Sequence, residues 1–552
     1  MHTKISALFA TLLVVVAPIY ADEALPHLRR QGAATQLLVH GQPFLIRGGE
    51  LGNSSGEPDY LRQFWPKLKE MNLNTVVTPV YWELIEPEEG KFDFSTLDGL
   101  LKDARAHDMH LVLLWFGVWK NSMSSYAPGW VKRDFQRFPR CRDSAGNGME
   151  IVTPFSAEML QADAKVFRAL MQYLRRVDQK DNTVLMVQVE NEIGMIPEAR
   201  DHSPEAERKF REAVPTELTG YLAKNMDTLA PELRDSWVAH GKKNVGNWTE
   251  VFGEGVATDE IFMAWHFSRF VEGVAAAGKA EYPLPMYVNA ALIRPGHKPG
   301  QYPSAGPLPH LMEVWRAGAP SIDFLAPDIY SAQFVDWVRK YTRSGNALFI
   351  PEALRSPDAA VNGIYAIAGQ NALGFSPFGI ESIGEAAGRY LRDSFDLVAQ
   401  LTPLILEHQG RGTMAGLISE GPEQRQAQQV WLGGCTLHTS FEKGPPVELA
   451  DGVPPPDAAA PKPIIHPAGG LVIATAPDEF LIAGTGITTT FQLRTPGGGP
   501  QVGLLSVEEG RFVDGKWTHI RWLNGDQTNQ GRQVRLLPGE FSLVRVKLYQ
   551  YR

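Results

Sequence analysis

Between about residues 43 and 381 the chain alternates short apolar runs with longer stretches of helical period. Eight of the runs read as strands: residues 43–48 (PFLIRG), 74–80 (NTVVTPV), 110–116 (HLVLLWF), 183–190 (TVLMVQVE), 285–292 (PMYVNAAL), 323–330 (DFLAPDIY), 347–352 (ALFIPE) and 372–378 (ALGFSPF). Most are near-continuous in Val, Ile and Leu, the pattern of strands covered on both faces. Between them lie amphipathic stretches. Residues 95–107 place Leu97, Leu100, Leu101 and Ala104 on one stripe, with Ser95 as a candidate cap and Asp98 three positions on. Residues 155–176, 259–277 and 334–342 have the same period. The segment between strands four and five is too long for one helix and predicts additional ones.

Strands alternating with helices predict a parallel sheet. Eight such units predict an α/β fold, a (β/α)8 barrel over residues 30–400. After about residue 400 the pattern changes. Residues 444–463 (GPPVELADGVPPPDAAAPKP) have the composition of a linker. Residues 470–552 carry short alternating strands (LVIATA, EFLIAG, TTTFQL, FSLVRVKLY) with Gly and Pro turns. They predict a second domain, 401–552, an antiparallel β-sandwich-like unit.

The first residues read differently. Lys4 precedes residues 5–20, apolar apart from Ser6, Thr11 and Pro18, and small Ala21 and Ala24 follow. This is the pattern of a secretory signal peptide, residues 1–21, cleaved near Ala21. Its apolar core is short of the ~20 residues of a membrane span. Export to a periplasm or the medium is expected, with no membrane span. The net charge of −9 lacks the basic face of a nucleic-acid binder. Cys141 and Cys435 are the only cysteines, open to one disulfide or two buried thiols.

Chemistry concentrates at strand ends, where a barrel of this kind carries its active groups. Strand four ends in VENEIG, with Glu190, Asn191 and Glu192, and strand seven ends in IPEAL, with Glu352. Either carboxylate alone says little. Two of them across one barrel mouth form the pair that glycoside hydrolysis requires, ~5–5.5 Å apart in a retaining enzyme. Tyr330 ends strand six and can hydrogen-bond Glu352. Arg47 ends strand one, either to hold Glu352 charged or as a plain structural ion pair. Trp82, Trp115, Trp119, Trp130 and Trp248 fall near strand ends, each individually a core candidate and together a possible set of sugar-stacking platforms. No HExxH, P-loop, GxGxxG-after-strand or G-x-S-x-G signature occurs, and the histidines lack metal spacing. No metal or cofactor is expected.

With the strand-end carboxylates in place, FLIRGGELGNSS, WPKLKEMNLNTVVTPVYWELIEPEEGKFDF and VQVENEIG resemble glycoside hydrolase family 35, the β-galactosidases, over residues 44–381. The β-rich tail is similar to the accessory domain of a bacterial branch of that family. The wording is also similar to family 42 galactosidases, of the same clan and mechanism. The resemblance implies release of terminal β-D-galactose from oligosaccharides with retention, and the bacterial branch implies xyloglucan side chains. It implies Glu192 as acid/base, Glu352 as nucleophile and Asn191 as a ligand of the galactose 2-hydroxyl. Glu190 either orients Glu192 or sits in the barrel wall. Sugar contacts are expected from Asn191, Tyr330, Trp115, Trp119, Lys120, Asn121, Trp82, Asn289, Trp248, Arg47 and Glu50. Many family members carry GPY…EW…GG.P.W after strand three. Here the region reads WFGVWKNSMSSYAPGW, so Trp119, Lys120 and Asn121 replace part of that loop. Two alternatives remain: another retaining glycosidase (β-glucosidase or endo-β-glycanase), and a catalytically silent carbohydrate-binding protein.

Overall fold

The computed structural model describes residues 25–419, 427–442, 466–493 and 500–552. The expected signal segment, 1–21, and the linker-like stretch, 444–463, lie outside the described residues. Eight parallel strands close into a barrel: β1 (Ile46–Glu50), β2 (Thr75–Tyr81), β3 (His110–Lys120), β4 (Val184–Asn191), β5 (Met286–Ala291), β6 (Phe324–Ile329), β7 (Ile350–Ala353) and β8 (Gly374–Pro377). They follow chain order round the barrel, and all eight match the apolar runs read from the sequence. Parallel neighbours require crossovers. These are led by α1 (Ser95–Ala106), α2 (Ala157–Asp178), α3 (Val256–Lys279), α4 (Phe334–Tyr341), α5 (Ala359–Gln370) and α6 (Glu385–His408). The long β4–β5 connection holds four further helices before α3, at Pro204–Arg211, Thr216–Lys224, Pro231–Ala239 and Trp248–Phe252.

Two expectations shift locally. Ser95 is the first helical residue of α1 and not its cap; the Asp93 carboxylate accepts from the Ser95 amide at 2.8 Å instead. β3 runs to Lys120, four residues beyond its apolar run: its register with β4 breaks after Trp115–Val189 and resumes at Lys120–Asn191.

Alternation along the strands sorts side chains into two layers. Val112, Leu114 and Phe116 of β3 point into the barrel, with Val77, Leu185, Tyr287 and Phe349. Leu111, Leu113 and Trp115 point out, into the layer packed under the helices. An N-terminal three-stranded sheet, His27–Gln31, Ala34–Val39 and Gln42–Phe44, contributes Leu37 and Val39 to the interior cluster.

Among the described residues after α6, the strands form two antiparallel sheets of six and four. Val472, Ile482 and Val546 of the larger pack with Leu437, Ile487 and Val534 of the smaller, so the two sheets share one core. The opposite face of the larger sheet, with Leu471, Ile473, Leu481 and Leu543, joins the barrel's outer layer. Cys141 and Cys435 are buried free thiols in separate clusters, so no disulfide joins them.

Candidate active site

The C-terminal ends of the strands converge on a cavity of about 630 Å³, within the usual range for small-molecule sites. Its polar wall includes Lys120 at the end of β3 and Asn121 after it, Glu192 after β4, Asp328 of β6 and Tyr330 after it, Glu352 of β7, and Asn53 and Arg294. One carboxylate oxygen each from Glu192, Asp328 and Glu352 lies within 4.8 Å of the other two. Glu50, at the end of β1, is a fourth buried carboxyl acting on Glu352. The spacing could admit a cation, but the protein's own donors already face the cluster.

Those donors are specific. The Tyr330 hydroxyl donates to Glu352 Oε1, and Asn121 Nδ2 to Glu192 Oε2. Asn289 bridges two members: its Oδ1 accepts from the Glu192 amide at 2.9 Å and its Nδ2 donates to Asp328 at 2.6 Å. Lys120 Nζ donates to Asn191 Oδ1 at 2.9 Å. The Asn191 Nδ2 group is buried with no protein acceptor.

Crowded carboxyls in a dry site cannot all ionise. Burial first, then Glu352, pushes the Glu50 carboxyl well above the usual range. Burial first, then Glu352 and Glu192, does the same to Asp328. Glu352 is raised less, to about 7: burial and Glu192 raise it, while Lys120, the Tyr330 hydroxyl and Glu50 act to lower it. Burial and the neighbouring carboxyls thus favour the neutral forms of Glu50 and Asp328, and Glu352, raised less, is the readiest of the three to ionise. Glu50 lies within hydrogen-bond reach of Glu352, and Tyr330, held well above its ordinary value by burial and by Glu352, stays a phenol donor.

Several expected contacts fall elsewhere. Trp115 is on the outer face of β3, its indole N–H donating to Asp163 of α2 at 2.9 Å. Trp119 lies against Phe267 and Phe270 of α3 and donates to the Val152 carbonyl. Trp82 is fully buried, bonds Glu86 and meets Trp130 edge to face. Trp130 itself is tied to the Glu86 carbonyl. Trp248 packs with Phe252 and Phe262. None of the five lines the cavity; each fills space under the helices, where large aromatics bury most area. Arg47 points out of the barrel to the Asn72 carbonyl and Thr402, and burial lowers it to about 10 against the pull of Asp396. It does not hold Glu352. Asn191, Asn289 and Glu50 sit behind the cavity wall and act through its members.

Sequence reasoning missed Asp328. It sits at the C-terminal end of an apolar run, the same signal that selected Glu192 and Glu352. It also missed the apolar side of the mouth, Leu292, Ile293 and Pro295, which no strand-end rule reaches.

Residues 56–251 match a glycoside hydrolase family 42 model described as beta-galactosidase. The barrel is beta-galactosidase-like. In this beta-galactosidase-like chain the match spans β2 to β4 with Lys120, Asn121 and Glu192, and stops short of Asp328 and Glu352. A beta-galactosidase of Xanthomonas manihotis is 31% identical over 107 residues, 19% of this chain and 18% of its own. Beta-galactosidase-1-like protein 3 of Homo sapiens is 47% identical over 57 residues, 10% of this chain and 9% of its own. The matched segments thus span less than a fifth of these relatives. The solved beta-galactosidase from Rahnella sp. R3 has a TM-score of 0.45 at 17% identity, covering 65% of this chain and 57% of that one. The matched family model and relatives are beta-galactosidases by description, and they do not single out family 35. Residues 391–535 match a domain of unknown function.

Proposed function

We propose that the protein is a retaining exo-β-galactosidase of the family 35 type, with Glu352 as nucleophile and Glu192 as acid/base. The observation that carries this is the pair of Glu192 and Glu352 oxygens within 4.8 Å across one buried cavity, the short separation of a double-displacement enzyme. Glu352 attacks the anomeric carbon while Glu192 protonates the leaving oxygen, giving a covalent galactosyl-enzyme. Glu192 then takes a proton from water, which attacks the same carbon and frees galactose with retention. Tyr330 and neutral Glu50 stabilise the anion of Glu352 before attack and after release. Asn191, behind the cavity wall, acts through Lys120, whose Nζ donates to its Oδ1 at 2.9 Å. We read the natural substrate as a galactosylated oligosaccharide, xyloglucan side chains among them, met outside the cytoplasm after removal of residues 1–21.

Separate Glu192→Gln and Glu352→Gln variants test the assignment on an aryl β-galactoside. Each should lose activity by roughly 10²–10⁴-fold or more. Near wild-type turnover in either removes the mechanism. Faster cleavage of the aryl glucoside than of the galactoside removes the sugar assignment. Binding of galactosides without turnover at any pH would identify a silent binding protein.

A further inference from the structure

Glu190 sits two residues before the acid/base, yet it is not in the cavity. Strand alternation would send it into the barrel beside Gln188. Its backbone instead takes φ +62, a left-handed conformation uncommon for a side-chain-bearing residue. That turn carries the side chain out between β3 and α2. There Glu190 Oε2 accepts from the Trp119 amide at 2.6 Å. Asp163 of α2, also fully buried, accepts from the Trp115 indole at 2.9 Å through Oδ1. The remaining oxygens, Glu190 Oε1 and Asp163 Oδ2, are both buried with no donor. The two side chains are within hydrogen-bond reach of each other.

We infer that Glu190 and Asp163 share one proton between their two orphaned oxygens, and that this closed pair is a positioning device for the acid/base. A single proton satisfies both oxygens at once; two carboxylates would repel, and two orphaned acceptors would each lose their water partners without replacement. Burial dominates both groups and raises both, Glu190 well above the usual range and Asp163 to about 6. The charged group acting on Asp163 is Glu86, itself paired with Lys165 at 3.0 Å. The pair reaches the cavity through β3. Glu190 fixes the Trp119 amide; the next residue, Lys120, bonds Asn191; and the Asn121 and Ser122 amides donate to the Asn191 and Glu192 carbonyls at 3.2 and 3.1 Å. The proton thus holds the 117–122 ridge against the reactive end of β4.

The inference rests on the proposed acid/base role of Glu192, and its test separates the two. In Glu190→Gln the amide replaces the shared proton as donor, so activity should stay within about threefold of wild type. Glu190→Ala removes both bonds. It should lose on the order of 100-fold on a β-galactoside with a poor leaving group, a loss typical of a misplaced group. On a dinitrophenyl β-galactoside, whose departure needs no protonation, the loss should be several-fold smaller. A purely structural defect would lower both substrates alike and would spare neither variant; parallel losses, or equal damage in Glu190→Gln, overturn the positioning role. Infrared difference spectra of wild type minus Asp163→Asn read the proton without turnover. They should show the carbonyl stretch of a protonated carboxylic acid, and its absence across the neutral range overturns the shared proton even if the enzyme proves to act on another sugar.

Discussion

Lys120 is the cation set against the carboxyls of the candidate site, and it acts to lower both Glu50 and Glu352. Turnover by the proposed route needs ionised Glu352, so kcat/KM should fall as pH drops through a value near 7. Lys120→Met removes a group that favours the charged form. The acid limb should therefore move to higher pH, by about one unit, and the pH profile of kcat/KM on an aryl β-galactoside checks it. A limb that stays in place or moves down would mean that Lys120 serves only Asn191. Glu352 also shapes stability. Glu352 rises from 4.5 to about 7 in the folded protein, so the fold binds its proton more tightly than the open chain does. That contribution is fully present below about 4.5 and is lost as pH rises through 7, a difference on the order of 3 kcal/mol. Glu352→Gln, which cannot ionise, should flatten the decline of denaturant stability between pH 5 and 8. An unchanged slope would place the titration on another carboxyl. Glu192 and Glu352 were legible because each closes an apolar run. The tryptophans misled, since the residue type says "large" and only strand phase says which face: Phe116 points in, so Trp115 must point out.

Strand β3 shows where reading by element succeeds and fails. All eight barrel strands were visible as apolar runs because a strand covered on both faces leaves no room for polar alternation. The extension 117–120 was not visible, because Gly117 interrupts the apolar run and what holds the segment is distant in sequence: Glu190 and Asn191 of β4 and the Phe267 and Phe270 rings of α3. Gly117 is the tight point of that ridge. A Cβ there would lie 2.4 Å from the Trp115 indole nitrogen and 2.6 Å from Glu190 Oε1, closer than real contacts allow. Gly117→Ala should therefore cost about 1–3 kcal/mol, as overpacking of a filled site does. It should also slow turnover, because the ridge carries Lys120 and Asn121. Urea midpoints and kcat of the one variant check both effects. An unchanged midpoint would show that the Trp115 ring and the Glu190 carboxyl can yield, and that the ridge is less tightly held than its geometry implies.

At the scale of the molecule, the barrel and the C-terminal sheets share one apolar layer. The outward face of the larger C-terminal sheet, through Ile418, Leu471, Ile473, Leu481 and Leu543, belongs to the same apolar cluster as Val361 and Ile364 of α5 and Leu397 and Leu401 of α6. Gly416 in the sheet strand Met414–Ile418 and Gly369 in α5 approach so closely that a Cβ on Gly416 would meet the Gly369 amide nitrogen at 2.8 Å. Gln400 of α6 accepts from the Phe512 amide at 3.0 Å, and the Tyr390 hydroxyl meets His466 at 2.7 Å. An interface this apolar behaves as core rather than as a hinge, since inter-domain contacts that move are smaller and more polar. The helix it covers, α5, follows directly on β7 and so on Glu352. The chain should accordingly unfold in one calorimetric transition, with activity lost along the same curve as the heat uptake. A chain ending after His408 should expose the α5 face and aggregate instead of yielding an active barrel. Two resolved transitions, or a soluble truncated barrel with wild-type kcat, would show that the sheets are an appendage and that the barrel holds Glu352 in place unaided.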